Sequence, residues 1–348
     1  MGIKSVDEKL KDLRKNNVNV WSFSRLGNFN TCPHQFKLSY VDRVENKQNV
    51  YGALGTVLHD GLEQVHLCDD KDGDYLSGVL DQGYLGVEIE GLRFPSEQIE
   101  NGWKANISHY VEGFEKKYDK AVVEKQVLYN FKDELGLDGD LWLVGYVDLI
   151  IPSSQTKGEL TVVDWKTSSK FAGKKLKEAG RQLILYAYIL EKTTGRKVSN
   201  VAWEMLKYAN VCFIQKNGKI KKTMTERRKW VEAIRNKVEK ELYLLGLVEF
   251  EVELYIDDML RDKNLDKMPD SIKNMFWLED SIVEYDYSKE KVEELFSWMK
   301  QTLENISVSD FEAVEINKQS SFFCNFLCGV RNSCGAYKTY KNSLGVGD

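Results

Sequence analysis

A chain of 348 residues with 42% hydrophobic content is long enough to bury a sizeable core, as one large domain or two smaller ones, and too apolar for a disordered protein. No apolar run approaches the length of a membrane span, and the charged N-terminal segment MGIKSVDEKLKDLRKNN lacks the apolar core of a secretory signal, so a cytoplasmic protein with no membrane partner is expected. A formal charge of −5 excludes a broadly cationic surface and leaves any contact with a polyanion to local basic stretches.

In chain order, Ser22 or Ser24 caps a helix through SRLGNFNTCPHQFKLSYV, with Leu26, Phe29 and Phe36 on its apolar face. A second helix begins near Tyr51. In YGALGTVLHDGLEQVH the buried stripe is Leu54, Leu58, Leu62 and Val65, and His59, Glu63 and His66 form the stripe beside it. A further helix over 100–120 completes a helical region spanning 52–120. Three strands follow within 121–165. The last two, LWLVGYVDLIIP and TVVDWK, flank the polar turn SSQTKGE and read as an antiparallel hairpin.

KEAGRQLILYAYILEKTTG is a strongly apolar helix stopped at Gly195, with Gln182 and Tyr186 four apart on one face. NVAWEMLKYA returns as a strand, and strand, helix, strand makes an α/β core over 121–212. From Thr225 to Gly246 a charged amphipathic helix turns Trp230, Ile234, Val238, Leu242 and Leu245 inward. It opens a helical insertion over 225–280 whose 247–280 part is less regular. The segment 281–348 then supplies a last strand, a last helix and a cysteine cluster.

Asp164 and Lys166 stand two apart on a strand and project to one side, while Val163 and Trp165 project to the other. An acid and a base so placed are either an intrastrand ion pair or part of a reacting centre. Asp148, on the preceding strand, is a second acid able to converge with Asp164. Two carboxylates supply hard oxygen ligands for a divalent cation and leave room for waters and a phosphate. Lys166 would then neutralise a phosphate oxygen or orient the attacking water in a metal-assisted hydrolysis.

Two basic stretches are local exceptions to the acidic balance: KTSSKFAGKKLK, with Lys170, Lys174, Lys175 and Lys177, and QKNGKIKKTMTERRK, with a hairpin-like Asn217-Gly218. Each is either a phosphate-binding face or a solvated one. Six cysteines in a long chain without a secretion signal make a poor disulfide framework. Cys324, Cys328 and Cys334 form a C-x3-C-x5-C run, Cys32 stands near the N-terminus, and Cys68 and Cys212 read as ordinary reduced thiols. Three clustered thiols want a fourth ligand, and thiolates select zinc or an iron-sulfur cluster.

The blocks WSFSRLGNFNTCPHQF, GTVLHDGLE, GYVDLII, VVDWKTS, RQLILYAY and CNFLCGVRNSC, in this order, resemble the P-D-(D/E)-x-K nucleases of the RecB-like branch. The likeness is to those with an iron-sulfur cluster, such as the CRISPR-associated RecB-like exonucleases and the nuclease domains of bacterial helicase-nucleases. It implies one nuclease domain over 1–348 with a restriction-endonuclease-like α/β fold: a central mixed sheet flanked by helices, a helical N-terminal region, and an iron-sulfur staple joining the two chain ends. It further implies that His59, Asp148 and Asp164 bind the catalytic Mg2+ or Mn2+, with the Trp165 carbonyl completing the protein ligands. By the same resemblance Lys166 is the catalytic lysine, Gln182 and Tyr186 position the lysine and the DNA, and Cys32, Cys324, Cys328 and Cys334 hold a 4Fe-4S cluster.

Two positions depart from that pattern. Three residues separate the first two C-terminal cysteines where relatives usually have two, and Val147 precedes Asp148 where the motif has proline. No G-x-x-x-x-G-K-[ST] phosphate loop is present, so any unwinding would come from a helicase or recombination partner. The leading expectation is a metal-dependent DNA nuclease, an exonuclease on DNA ends or single strands, serving repair, recombination or phage- or CRISPR-type DNA processing. The alternatives are a non-hydrolytic DNA-binding or assembly module that docks to such a partner, and a zinc-stapled structural protein whose acids and lysine are only ion pairs. Intact His59, Asp148, Asp164 and Lys166 favour the first.

Overall fold

The computed structural model describes residues 5–118, 121–154, 156–215 and 217–345. Residues 1–4 of the N-terminal segment, 119–120 at the end of the expected third helix, Gln155 of the hairpin turn, Lys216 of the second basic stretch and 346–348 lie outside them.

Among the described residues the centre is a seven-stranded mixed sheet. Its strands are β1 (Val20–Trp21), β2 (Val122–Asn130), β3 (Trp142–Pro152), β4 (Leu160–Lys166), β5 (Val198–Ile214), β6 (Ile220–Glu226) and β7 (Phe276–Tyr285). Strand β3 runs antiparallel to β2 and β4, as the expected hairpin requires, and parallel to the short β1. Strand β4 is parallel to β5, which pairs antiparallel with β6 and β7. A parallel pair needs a crossover, and the apolar helix between β4 and β5 supplies it. Covered on both faces, β3 and β4 carry nearly continuous apolar runs.

The N-terminal part holds α1 (Val6–Lys15), α2 (Phe23–Thr31), α3 (Pro33–Phe36), α4 (Val50–Leu67), α5 (Gly73–Ile89) and α6 (Glu97–Glu112). Ser22 caps α2 by accepting from the Arg25 N–H. The single helix expected from there to Val41 is broken: Cys32 is extended (φ −158), Pro33 opens α3, and a π-turn covers Lys37–Val41. Proline disfavours helical backbone in the residue before it, which turns Cys32 out of the helix. The expected helix over 100–120 begins at Glu97 and ends at Glu112, where Gly113 caps it.

The remaining helices are α7 (Lys132–Leu135), α8 (Gly173–Thr194), α9 (Trp230–Leu244), α10 (Glu249–Asp262), α11 (Asp270–Lys273), α12 (Lys289–Ser307) and α13 (Gly335–Ser343). Gly195, in the left-handed region (φ 68), stops α8 as expected. Two boundaries of the expected 225–280 helical insertion are corrected. Strand β6 occupies Ile220–Glu226, joined to β5 through the Asn217-Gly218 turn, and β7 already begins at Phe276. Strand β6 is exposed and polar over much of its length, so no apolar alternation announces it.

The two faces of the sheet feed different cores. Val162 packs with Leu183 and Ile184 of α8 and Leu295 of α12. Val163 and Trp165 pack with Leu54, Leu58 and Leu62 of α4 and with Trp103 and Ile107 of α6. The period of two along β4 therefore separates Val162 from Val163 and leaves Asp164 and Lys166 on the face opposite Trp165. A third cluster, around Val231, Ile256 and Ile272, joins α9, α10 and α11. No helix among the described residues is long and apolar enough to cross a membrane.

Candidate active site

The ladder between β3 and β4 ends at the pair Leu149 and Val163. One step further along the same register, Asp148 faces Asp164. The Trp165 N–H donates to Asp148 Oδ2 at 2.9 Å. The point where the strands part thus gathers two carboxylates, 7% and 3% exposed, into one space. Lys166 enters the same space, with Nζ 2.5 Å from Asp164 Oδ2.

From α4, His59 Nδ1 lies 3.4 Å from Asp148 Oδ2, and its ring meets the Trp165 backbone carbonyl. On the other side of β3, β2 contributes a residue absent from the sequence reading. Its register pairs Val123 with Leu149 and Lys125 with Val147, so Glu124 falls opposite Asp148. Glu124 has a left-handed backbone (φ 44), a conformation that a non-glycine residue keeps only where its surroundings impose it. Donor atoms of His59, Glu124 and Asp148 all lie within 4.8 Å of one another. His59 and Glu124 line a cleft of about 570 Å3 with Asp60, Glu63 and Tyr146. Asp164, also expected among the ligands, is paired with Lys166 beside this group. His66, expected on the stripe of His59 and Glu63, is spent elsewhere: Nδ1–H donates to the Leu62 carbonyl at 2.8 Å and the ring tilts against Trp165.

Too many acids share this space for one lysine to neutralise. Burial and then Asp164 push Asp148 up to about 8, although Lys166 and the Trp165 N–H oppose the shift. Burial, with Glu63, Asp60 and Asp164, also raises Glu124. Burial works to lower Lys166, yet Asp164 and Asp148 overcome it and hold the ammonium charged. Burial lowers His59, which keeps the imidazole neutral and able to act as a ligand. Carboxylate oxygens with one neutral imidazole nitrogen are a donor set that fits Mg2+ or Mn2+.

The model of the PD-(D/E)XK nuclease superfamily matches residues 20–335, from β1 to the start of α13. The chain belongs to the PD-(D/E)XK nuclease superfamily. No curated protein matches the sequence. Among solved structures it is similar to a "Putative exonuclease" from Eubacterium rectale, at 15% identity and a TM-score of 0.32, over 78% of this chain and 94% of that one. So distant a likeness adds nothing to the assignment.

In this nuclease, α8 brings the expected Gln182 and Tyr186 to β3. The Gln182 amide donates to Tyr186 Oη at 3.1 Å, and the phenol reaches the Tyr146 backbone. Gly145 makes the approach possible, since a Cβ there would overlap the tyrosine ring. Of the lysines expected to contact DNA, Lys174 is 3.5 Å from Glu178 and Lys177 is 2.7 Å from Glu294, so both have internal partners. Lys174, Lys175 and Lys177 lie at the start of α8, whose first turn holds no acid. Lys170 lies in the connection before it, its backbone N–H donating to Tyr208 Oη.

Cys32, Cys324, Cys328 and Cys334 line one small cavity with Leu38 and Val330. A π-turn over Phe323–Leu327, closed by the Cys328 N–H to the Phe323 carbonyl at 2.9 Å, takes up the additional residue between the first two C-terminal cysteines. Burial, followed by the other three cysteines, pushes the Cys324 thiol up to about 11. The chain ends also meet directly: the Lys47 N–H donates to the Gly329 carbonyl, and a Cβ on Gly329 would overlap Asn46.

Proposed function

We propose that this nuclease hydrolyses phosphodiester bonds of DNA with Mg2+ or Mn2+, as an exonuclease of the RecB-like branch acting on DNA ends or single strands. The observation that carries the reading is the convergence of His59, Glu124 and Asp148 within 4.8 Å, beside the paired Asp164 and Lys166. His59, Glu124 and Asp148 would hold the cation, with Asp164 and the Trp165 carbonyl at its border. Once bound, the cation supplies Lewis acidity toward the scissile phosphate and the attacking water.

The chain's own groups do the rest. Lys166, kept charged by its two carboxylates, sets a fixed positive charge against a non-bridging phosphate oxygen, where negative charge builds up in the transition state. His59 stays neutral and leaves a ring nitrogen free to bind. Gln182 and Tyr186 brace β3 below Asp148. Lys170, Lys174, Lys175 and Lys177 guide the phosphate backbone toward the end of β4.

The same reading gives the four cavity-lining cysteines a 4Fe-4S cluster that staples the chain ends into one nuclease domain over 1–348. Four thiols converging from both ends, with burial disfavouring the charged forms of Cys324 and Cys328, support a cationic occupant. The protein would work in the cytoplasm in DNA repair, recombination or phage- or CRISPR-type processing, with a helicase or recombination partner supplying any unwinding. The test is an assay on end-labelled single-stranded and duplex DNA. Metal-dependent shortening from an end that Asp164→Ala abolishes is the expected result. Tight binding without cleavage would instead identify a non-hydrolytic assembly module.

A further inference from the structure

The face that α4 presents to the metal cleft is bare near its start, where Gly52 and Gly55 precede Thr56 and His59. Glycine inside a helix is less stable than alanine, and packing does not demand it here. A Cβ would meet nothing nearer than 3.8 Å at Gly52 and 3.6 Å at Gly55. The floor is thus open to a group that arrives from outside. Tyr51 bounds this floor, its half-buried ring set edge-on to Phe94 at 5.2 Å, and Phe94 packs in turn on Trp103 at 5.9 Å.

Past Phe94 a second cleft of about 550 Å3 opens between α5, the 90–96 connection and α6. The contact between Tyr51 and Phe94 joins the two clefts. Their charges differ in use. Lys104 is spent on Glu100 at 2.6 Å. Arg93, adjacent to Phe94, is exposed and has no ion pair among the described residues. Asp81 and Glu88 of α5 also line the second cleft and repel phosphate, so a neutral ring fits beside them where a phosphate does not.

From this juxtaposition the geometry points to the Tyr51–Phe94 wall as the subsite for an unpaired nucleobase next to the scissile phosphate, with Arg93 on the adjoining phosphate. Stacking on an aromatic side chain needs a free base face, which a duplex covers with its neighbours. The substrate class is therefore single-stranded DNA, including single-stranded ends. This inference rests on the nuclease reading and narrows it.

The test is fluorescence anisotropy in EDTA with three labelled probes: an oligothymidine, a strand of the same length made abasic, and a duplex. Phe94→Ala is expected to weaken oligothymidine binding by about five- to a hundredfold, the scale of losing one stacked base. Arg93→Ala should flatten the slope of log affinity against log salt by about one unit. Wild-type protein should bind the abasic strand more weakly, and Phe94→Ala should not weaken that binding further. Phe94→Leu keeps apolar volume against Trp103 and should retain the fold while losing the base preference. Equal wild-type affinity for the oligothymidine and the abasic strand overturns the subsite, with no variant involved. Cleavage in Mg2+ is followed separately: base-dependent binding without cleavage refutes the nuclease reading alone, and cleavage without base dependence refutes the subsite alone.

Discussion

Gly145 of β3 and Tyr186 of α8 are fitted to each other: a Cβ on the glycine would overlap Cε1 of the ring and stand 3.1 Å from Cζ. Three residues later on the same strand is Asp148. Gly145→Ala should therefore push Tyr186 off β3, costing about 1 to 3 kcal/mol as overpacking does, and should lower turnover by shifting the strand that carries the carboxylate. Combining Gly145→Ala with Tyr186→Leu should restore much of the melting temperature but not the turnover. Thermal melts and single-turnover cleavage separate the two effects. An unchanged melt for Gly145→Ala would show that the ring is free to move.

Glu124, Asp164 and Lys166 should fail in different ways. Glu124→Gln preserves size but removes a charged ligand, so metal affinity should drop and excess Mn2+ should recover part of the activity. Asp164→Ala should abolish cleavage yet leave DNA binding intact or tighter, because a negative charge near the phosphate is gone. Lys166→Ala should leave metal affinity nearly unchanged and slow turnover by about a hundredfold or more, the scale of losing one preorganised electrostatic donor. Metal titrations beside cleavage rates distinguish the three. Wild-type rates in folded Asp164→Ala and Lys166→Ala proteins would reduce that pair to an ion pair on a strand.

Two buried carboxyls contribute to the pH dependence of the metal-free protein. Asp148 is raised from 3.8 to about 8, by burial and Asp164. Glu204 is raised from 4.5 to about 7, by burial and Asp280, while Trp165 Nε1 and Tyr110 Oη donate to it. Both hold their protons more tightly folded than unfolded. Their contribution to stability is therefore complete below the unfolded values and is lost as pH rises from about 4 to about 8. A bound cation competes with the Asp148 proton, so metal affinity should climb across the upper part of that window and binding should release protons. Melting curves with and without Mn2+, and calorimetry in buffers of different ionisation enthalpy, check both. Metal binding with no proton release would show that Asp148 is already ionised.

For the cysteine cavity, anaerobically purified protein should be brown, with broad visible absorbance that Cys328→Ala abolishes together with much of the folded yield. Cys68, at the end of α4 and outside the cavity, should tolerate Cys68→Ala with colour and melting temperature unchanged. Colourless protein carrying stoichiometric zinc would replace the cluster with a zinc staple.

What the sequence determined by itself was local. A period of two put Asp164 and Lys166 on one side of β4. The spacing of three and four aligned Leu54, Leu58 and Leu62 on α4 and set His59 beside them, and a left-handed glycine ended α8 at Gly195. These patterns are legible because neighbours a few residues apart meet within one element. Tertiary structure alone decided which elements share a space. Glu124 reads as one of two adjacent charges in VVEKQVLYN until the register with β3 sets it opposite Asp148. Tyr51 and Phe94 belong to separate parts of the helical region until α4 and the 90–96 connection bring their rings together. Strand β6 was concealed by its polarity, because an exposed edge needs no apolar face and only pairing with β5 makes it a strand. Periodicity is a property of one segment, whereas register and the parting of β3 from β4 arise only between segments, from which backbone groups pair and where that pairing stops.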